Sequence, residues 1–270
     1  MKSRTPMIFT ALLLAAILFP LYWAAMASVT PERELFGTPS LLPRAFVPDH
    51  YRALFVERDF WTPVLNSVIV AGTTTVLAVV LGAACAYALA RLRFRGRTLI
   101  LALVLAVSMF PQISIVSPLY LLLRELRLLN TYPGLVLPYL TFAMPLTIWL
   151  LTGFFRQLPA ELEEAGLIDG ASRLRILRDI VLPLSWPGLA TTAILTFLYS
   201  WNEFLFALSF TLGPERYTVP VAITLFRGQY QVPWGQVLAA AVIATAPVAA
   251  LVLAAQRRIV SGLTSGAVKG

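Results

Sequence analysis

The sequence is poor in charged residues and in the residue types that build catalytic or metal sites. Only 13% of its 270 residues are Asp, Glu, Lys or Arg, against roughly 25% in an ordinary soluble domain. One histidine, His50, and one cysteine, Cys85, exclude an internal disulfide, a His/Cys metal site and a nucleophile with its base. The only lysines, Lys2 and Lys269, do not complete a Walker A loop. We therefore expect no enzyme, and no cofactor or metal bound by this chain.

Long uncharged runs are the main feature that the sequence does have, and its mean hydropathy is +0.79. The runs cover residues 6–31, 61–90, 98–123, 128–155, 180–202 and 228–256. Each exceeds the ~20 residues that a helix needs to cross ~30 Å of hydrocarbon. None alternates apolar and polar residues as the strands of a membrane barrel do. The sequence predicts an all-α integral membrane protein with six transmembrane helices, surrounded by lipid.

The positions of the basic residues predict how the chain is oriented. A net charge of +8 in a soluble protein would suggest nucleic acid, but here "RLRFRGR" concentrates four arginines in a short loop that is costly to translocate. With the N-terminus inside, thirteen basic residues lie inside, and eight lie outside among seven acids. We therefore expect an N-in, C-in topology in a cytoplasmic membrane, and no nucleic-acid partner.

The runs divide the chain into segments. Residues 1–28 form the first helix, 29–60 an extracytoplasmic loop with four prolines, 61–255 a helical core and 256–270 a C-terminal tail. The first run ends "AMA", as a signal peptide does, but it is longer than a cleaved apolar core, so we treat it as a helix. Pro111 and Pro247 each free a backbone carbonyl in the third and sixth helices. These breaks line a cavity or are ordinary membrane-helix prolines.

The stretch 158–184 is charged although it lies between two apolar runs. Pro159 suits a first helical turn, and the acids that follow favour the positive end of a helix dipole. Gly170 can adopt a positive φ and end this helix, after which Arg173 begins another. The pattern predicts a helix, a bend and a helix on the cytoplasmic side, made to dock onto a partner or left as a solvated loop.

Within it, "EAGLIDGASRLRILRDIVLP" has the spacing EAA, three residues, G, nine residues, I, one residue, LP. The positions correspond to Glu164, Ala165, Gly166, Gly170, Ile180, Leu182 and Pro183, with glycine for alanine at Gly166. The pattern resembles the cytoplasmic signature of the permease subunits of bacterial binding-protein-dependent ABC importers. The resemblance implies a MetI-like type I importer fold. It also implies a coupling helix in which these residues and Asp169 meet an ATPase, with Glu164 in polar contact and Gly170 at the bend.

The resemblance implies partners as well. They are a second homologous permease, two ATPase subunits that bind ATP and Mg, and an extracytoplasmic binding protein or lipoprotein. "NTYPGLVLPYLTFAMPLTIWLL", "SWNEFLFALSF" and "QRRIVSGLTSGAVKG" are similar to the maltose-type second permease of importers for trehalose and related α-glucosides. The tail then follows the ATPase dimer through Gln256, Gly262, Leu263, Thr264 and Gly266, although its Gly and Ser content alone would suggest a disordered terminus. The alternatives are an importer of polyamine, phosphate or peptide, and a free-standing channel with no use for a docking signature.

The fifth helix carries the one intramembrane acid, Glu203. With Tyr199, Asn202 and Phe206 it follows i, i+3, i+4, i+7 spacing, which predicts one polar helix face. An intramembrane acid is a functional candidate, so Tyr199, Asn202, Glu203 and, more weakly, Gln112 are candidates for a sugar pathway. A structural hydrogen bond or a gate contact remains an equal alternative.

Two further predictions concern the extracytoplasmic segments, and the first has two alternatives. The loop with Tyr217, Tyr230 and Trp234 meets the binding protein or forms an interfacial aromatic belt. His50 is predicted to be an exposed loop residue.

Overall fold

The computed structural model describes residues 5–38, 40–43, 45–226 and 232–264, which form helices and connecting segments without a β-strand among them. The predicted all-α fold is confirmed. The chain divides into two compact units, one of Met1–Val64 and Val219–Val248, and one of Leu65–Thr218 and Ala249–Gly270.

Fourteen α-helices follow one another in the described residues: α1 (Thr5–Ala27), α2 (Glu32–Leu35), α3 (Asp49–Val56), α4 (Trp61–Arg91), α5 (Arg97–Ser108), α6 (Gln112–Glu125), α7 (Tyr132–Gln157), α8 (Glu161–Ile168), α9 (Arg173–Ile176), α10 (Leu182–Leu184), α11 (Trp186–Trp201), α12 (Leu205–Phe210), α13 (Val219–Thr224) and α14 (Trp234–Thr264). A π-helical turn at Leu177–Val181 joins α9 to α10, and a 3-10 turn occupies Pro214–Arg216.

Four of these helices are long and apolar enough to cross a membrane without a break: α1, α4, α7 and α14. The third and fifth predicted helices are instead bent pairs, α5 with α6 at 90° and the α9–α10 segment with α11 at 84°. The count reaches the predicted six if each pair is one span. Pro111, extended at ψ 119°, separates α5 from α6, because proline lacks an N–H and disfavours helix before it.

The first unit holds α1 and a folded segment after it. From Met7 to Tyr22 the side chains of α1 are exposed, as suits contact with hydrocarbon. The segment 29–60, expected to be irregular, contains α2 and α3, and its Leu54 and Phe60 are fully buried. The Glu32 carboxylate accepts hydrogen bonds from the backbone N–H groups of Trp234 and Gly235, at 2.8 and 2.9 Å, and so caps the start of α14.

His50 lies against that cap, and the expectation of a freely exposed histidine was wrong. Its Nε2 atom is 2.9 Å from the carbonyl oxygen of Thr30, and its ring occupies the place of a side chain on Gly235. The glycine is therefore needed for the close approach of the ring.

The second unit packs around α7. One cluster joins α4, α7, α9 and α11 through Tyr87, Leu151, Phe155, Ile176 and Leu189. The helices approach closely where a side chain is missing: a Cβ on Gly188 would come within 2.5 Å of the Phe154 ring. Small residues at helix contacts are the usual means of tight packing in membranes.

Candidate functional site

The segment between α7 and α11 has the predicted helix, bend and helix. Glu161 and Glu164 lie in the first turn of α8, where the helix dipole favours acids. Gly170 has a φ of 76°, a conformation open to glycine, and the N–H of Ala171 closes the turn on the Gly166 carbonyl at 2.9 Å. Ser172 then caps α9 by accepting a hydrogen bond from the Arg175 N–H at 3.3 Å.

The residues of the docking signature fall into two groups. Glu164, Ala165, Asp169, Gly170 and Pro183 are exposed. Gly166, Ile180 and Leu182 face inward. A Cβ on Gly166, the glycine that replaces the signature's alanine, would lie 3.0 Å from Cδ1 of Ile180, so these two residues join the two arms of the bend. The inner group holds the shape that presents the outer group.

Two large apolar side chains protrude at the tip of this bend. Ile168 is 86% exposed and Leu174 is 74% exposed, on either side of the Gly170 turn. We call Ile168 and Leu174 the apolar knob. Because it lies among charged residues, it is unlike a lipid-facing surface and suits a protein partner.

A polar cluster that the sequence did not predict lies beneath α8. Glu163 is buried, and its Oε1 atom forms an ion pair with Nε of Arg91 at 2.7 Å, electrostatic rather than an aligned hydrogen bond. Its Oε2 atom accepts a hydrogen bond from the Tyr87 hydroxyl at 3.1 Å. Arg91 also donates from Nη2 to the carbonyl of Leu158 at 2.6 Å. No local pattern could show these contacts, because Tyr87 and Glu163 are 76 positions apart.

Two of the predicted pathway residues meet in a cavity. Gln112, the first residue of α6, donates from Nε2 to the Tyr199 hydroxyl at 2.6 Å. Both line a cavity of about 400 Å³ between α5, α6, α7 and α11. Its other lining residues are Leu105, Ser108, Phe142, Leu146 and Trp149. An indole and three polar groups around such a space can accept a hydroxyl-bearing ligand.

The other two pathway candidates lie at a break that was not expected. α11 ends at Trp201, so Glu203 and Phe206 do not continue one helix face with Tyr199, and the predicted polar face is wrong in this respect. Asn202 donates to the Leu198 carbonyl at 2.7 Å. The buried carboxylate of Glu203 accepts from the N–H groups of Phe206 and Ala207, at 2.8 and 3.1 Å, which caps α12. Both of its oxygens are thus engaged by backbone.

Asn130 of the "NTYPG" stretch forms hydrogen bonds that hold the segment after α12 in place. Asn130, at a φ of 60°, donates its N–H to the Phe210 carbonyl and its side-chain oxygen accepts from the Leu212 N–H. Its amide also binds Glu215, which lowers the pKa of that carboxyl below its ordinary value. Of the loop aromatics, Tyr217 follows this segment and Trp234 is the first residue of α14, whereas Tyr230 lies outside the described residues.

The family profile described as "Binding-protein-dependent transport system inner membrane component" matches residues 78–265. This range covers most of the chain, including the cavity and the docking signature. The chain belongs to that family.

Relatives of this inner membrane component match along nearly their full length. The trehalose transport system permease protein SugB of Mycobacterium tuberculosis is 44% identical, over 97% of this chain and 96% of that one. The trehalose/maltose transport system permease protein MalG of Thermococcus litoralis is 43% identical, over 99% and 98%. The sulfoquinovosyl glycerol transport system permease protein SmoH of Agrobacterium fabrum is 40% identical, over 99% and 95%.

Solved structures share the fold. A bacterial ABC transporter involved in the import of the acidic polysaccharide alginate aligns with a TM-score of 0.79 and 24% identity, over 95% of this chain and 98% of that one. The MetNI methionine ABC transporter aligns with a TM-score of 0.58 and 17% identity, over 76% and 98%. The fold expected from the resemblance, that of an ABC importer permease, is confirmed.

The tail of this family member starts as helix. Gln256, Gly262, Leu263 and Thr264 fall on α14, whose backbone continues to Thr264, beyond the predicted end at residue 255. Gly266 lies outside the described residues.

Proposed function

We propose that this chain is one of two permease subunits of an ABC importer for a sugar of the trehalose and maltose type. Full-length relatives named for trehalose and for trehalose/maltose transport, at 44% and 43% identity, support this class of substrate. Relatives at 40% and 35% identity are named for sulfoquinovosyl glycerol and diacetylchitobiose, so those sugars belong among the competitors to be tested.

The apolar knob is the observation that carries the docking role. Ile168 and Leu174 are exposed on a segment whose neighbours Glu164 and Asp169 are charged and exposed. An apolar protrusion with a polar rim matches the composition of a protein interface. An ATPase subunit on the cytoplasmic side would cover it, with Glu164 and Asp169 making the polar contacts.

The partners follow from the family's architecture. A second, homologous permease would complete the pathway, two ATPase subunits would bind ATP and Mg, and an extracytoplasmic binding protein or lipoprotein would deliver the sugar. The N-in, C-in orientation of the sequence prediction places α8 and α9 on the ATPase side. Residues Gln256, Gly262, Leu263, Thr264 and Gly266 would then run along the ATPase dimer.

The mechanism proposed is alternating access. When ATP closes the ATPase dimer, the α8–α9 bend moves with it and shifts the helices that it joins. The cavity beside Gln112 and Tyr199 opens outward, and hydrolysis resets it. The sugar is moved without any covalent change.

Uptake of labelled trehalose tests the proposal in cells that carry the whole operon, with maltose, sucrose, diacetylchitobiose and sulfoquinovosyl glycerol as competitors. Glu164→Ala is expected to abolish uptake in an assembled complex, whereas Glu161→Ala, an exposed acid one turn earlier, is expected to leave it intact. Uptake of none of these sugars by a complete wild-type complex would refute the sugar assignment. Purification without any ATPase would refute the importer itself.

A further inference from the structure

Glu163 differs from the acids around it. Glu161 and Glu164 of the same turn are exposed, whereas Glu163 is only 5% exposed. A carboxylate is buried at a high desolvation cost and persists only when its partners are well placed. Its Oε1 atom forms an ion pair with Arg91, and its Oε2 atom accepts a hydrogen bond from Tyr87.

The two partners belong to one face of α4. Tyr87 and Arg91 are four residues apart, so their side chains lie one above the other at the end of that helix. Through Leu158 and Glu163, Arg91 contacts both sides of Pro159 and so bridges the end of α7 to the start of α8.

We infer that Tyr87, Arg91 and Glu163, here called the α4 clamp, transmit displacement of the coupling helix α8 to α4. The inference rests on the proposed function, because an ATPase must move α8. A second contact links α8 to α11. Gly166, on the same face of α8 as Glu163, packs against Ile180 in the segment that leads into α11. With both contacts intact, α8 cannot shift against α4 without separating a buried ion pair.

The arginine cluster itself supplies the contrast. Arg93, Arg95 and Arg97 are exposed, as residues that only fix topology should be. Arg91 has a side chain only 13% exposed and is paired. The same arginine cluster therefore contains both a residue of the clamp and matched controls for it.

The first test uses the complete importer in liposomes and measures sugar uptake per ATP hydrolysed. We expect E163Q and R91Q each to lower this ratio about tenfold, and the double variant to be no worse than either single one. E161Q and R93Q should match the wild type. Normal coupling in E163Q, or additive losses in the double variant, would overturn the inference.

The second test does not need transport. Spin labels on Cys85, exposed on α4, and on Leu162→Cys, exposed on α8, report the distance between the two helices. In the otherwise wild-type complex the mean distance between the two labels should stay the same when ATP binds. In R91Q the distribution of this distance should become broader. A distance that changes on ATP binding with the clamp intact would overturn the inference.

The outcomes for the proposed function are read separately. A wild-type complex whose ATPase is not stimulated by the sugar-loaded binding protein would refute that function, while the distance measurement would still decide whether α8 is fixed to α4. If E163Q does not assemble, Y87F decides, because it removes a single hydroxyl. We expect Y87F to lower the coupling ratio, and an unchanged ratio would count against the clamp.

Discussion

The side-chain amide of Gln112 donates a hydrogen bond to the hydroxyl of Tyr199 at 2.6 Å. Gln112 is the first residue after the break between α5 and α6, and Tyr199 lies in the last turn of α11. The bond therefore joins the two bent pairs beside a cavity of about 400 Å³. A bond at a helix break can open when the helices move, which frees both polar groups for another partner.

Removal of either partner should weaken sugar uptake. If the two groups bind sugar hydroxyls in turn, loss of one hydrogen bond, about 1 kcal/mol, corresponds to about fivefold in KM. We expect Tyr199→Phe and Gln112→Ala each to raise KM for uptake by about this factor. Tyr120→Phe, on α6 and outside the cavity lining, is the matched control. An unchanged KM in both variants would exclude the pair from the sugar's path.

Glu203 should prove to be a stabilising residue. Glu203→Ala leaves two N–H groups at the start of α12 without acceptors, at a cost of about 1–3 kcal/mol. The thermal unfolding midpoint in detergent should fall. Glu203→Gln, which keeps one acceptor oxygen, should recover part of that loss.

The same variants separate the two roles that the sequence left open. A sugar contact predicts that Glu203→Gln raises KM for uptake without a matching loss of stability. A capping role predicts lower stability with KM unchanged. Full stability in Glu203→Ala would contradict the cap.

The local signals of the sequence were sufficient for the α8–α9 bend and insufficient for the break after α11. At the bend, Pro159, the acids after it and Gly170 each act within a few residues. Between Trp201 and Leu205 there is neither proline nor glycine, so an unbroken helix was the natural prediction. The signal that could have indicated the break is Asn202 followed by Glu203, a polar pair suited to helix ends.

Contacts between distant residues were not predictable at all. Arg91 was interpreted as part of a topological anchor, and His50 as exposed. Their partners, Glu163 and Gly235, lie far away in the sequence, and a pattern of period 3.6 contains no information about which helices meet. The resemblance supplied the overall fold, and only the packed structure supplied these pairs.

Gly170 should tolerate only residues that accept its positive φ. A left-handed conformation costs most residues about 1–2 kcal/mol, whereas asparagine adopts it more readily. We expect Gly170→Ala to lower uptake and the amount of ATPase that copurifies, and Gly170→Asn to retain both. A steric clash would not explain the loss in Gly170→Ala, because a Cβ on Gly170 would meet nothing within 4 Å.

Gly166→Ala is the control for that change. Its Cβ would lie 3.0 Å from Cδ1 of Ile180 and 3.3 Å from Cγ1 of Ile176, both on flexible side chains, and it restores the alanine of the docking signature. We expect stability and uptake close to the wild type. Equal damage from Gly166→Ala and Gly170→Ala would show that the backbone conformation at Gly170 is not what matters.

The contact between His50 and Gly235 makes the clearest prediction on stability. A methyl group on Gly235 would overlap the imidazole ring, and overpacking of this kind costs about 1–3 kcal/mol. Gly235→Ala should therefore lower the thermal unfolding midpoint, and the second change His50→Ala should restore much of it, because the obstructing ring is gone. Gly72→Ala, where a Cβ meets nothing within 4 Å in α4, should not destabilise the protein. If Gly235→Ala alone is as stable as the wild type, the ring does not occupy that place and the cap on α14 formed by Glu32 is less crowded than the structure shows.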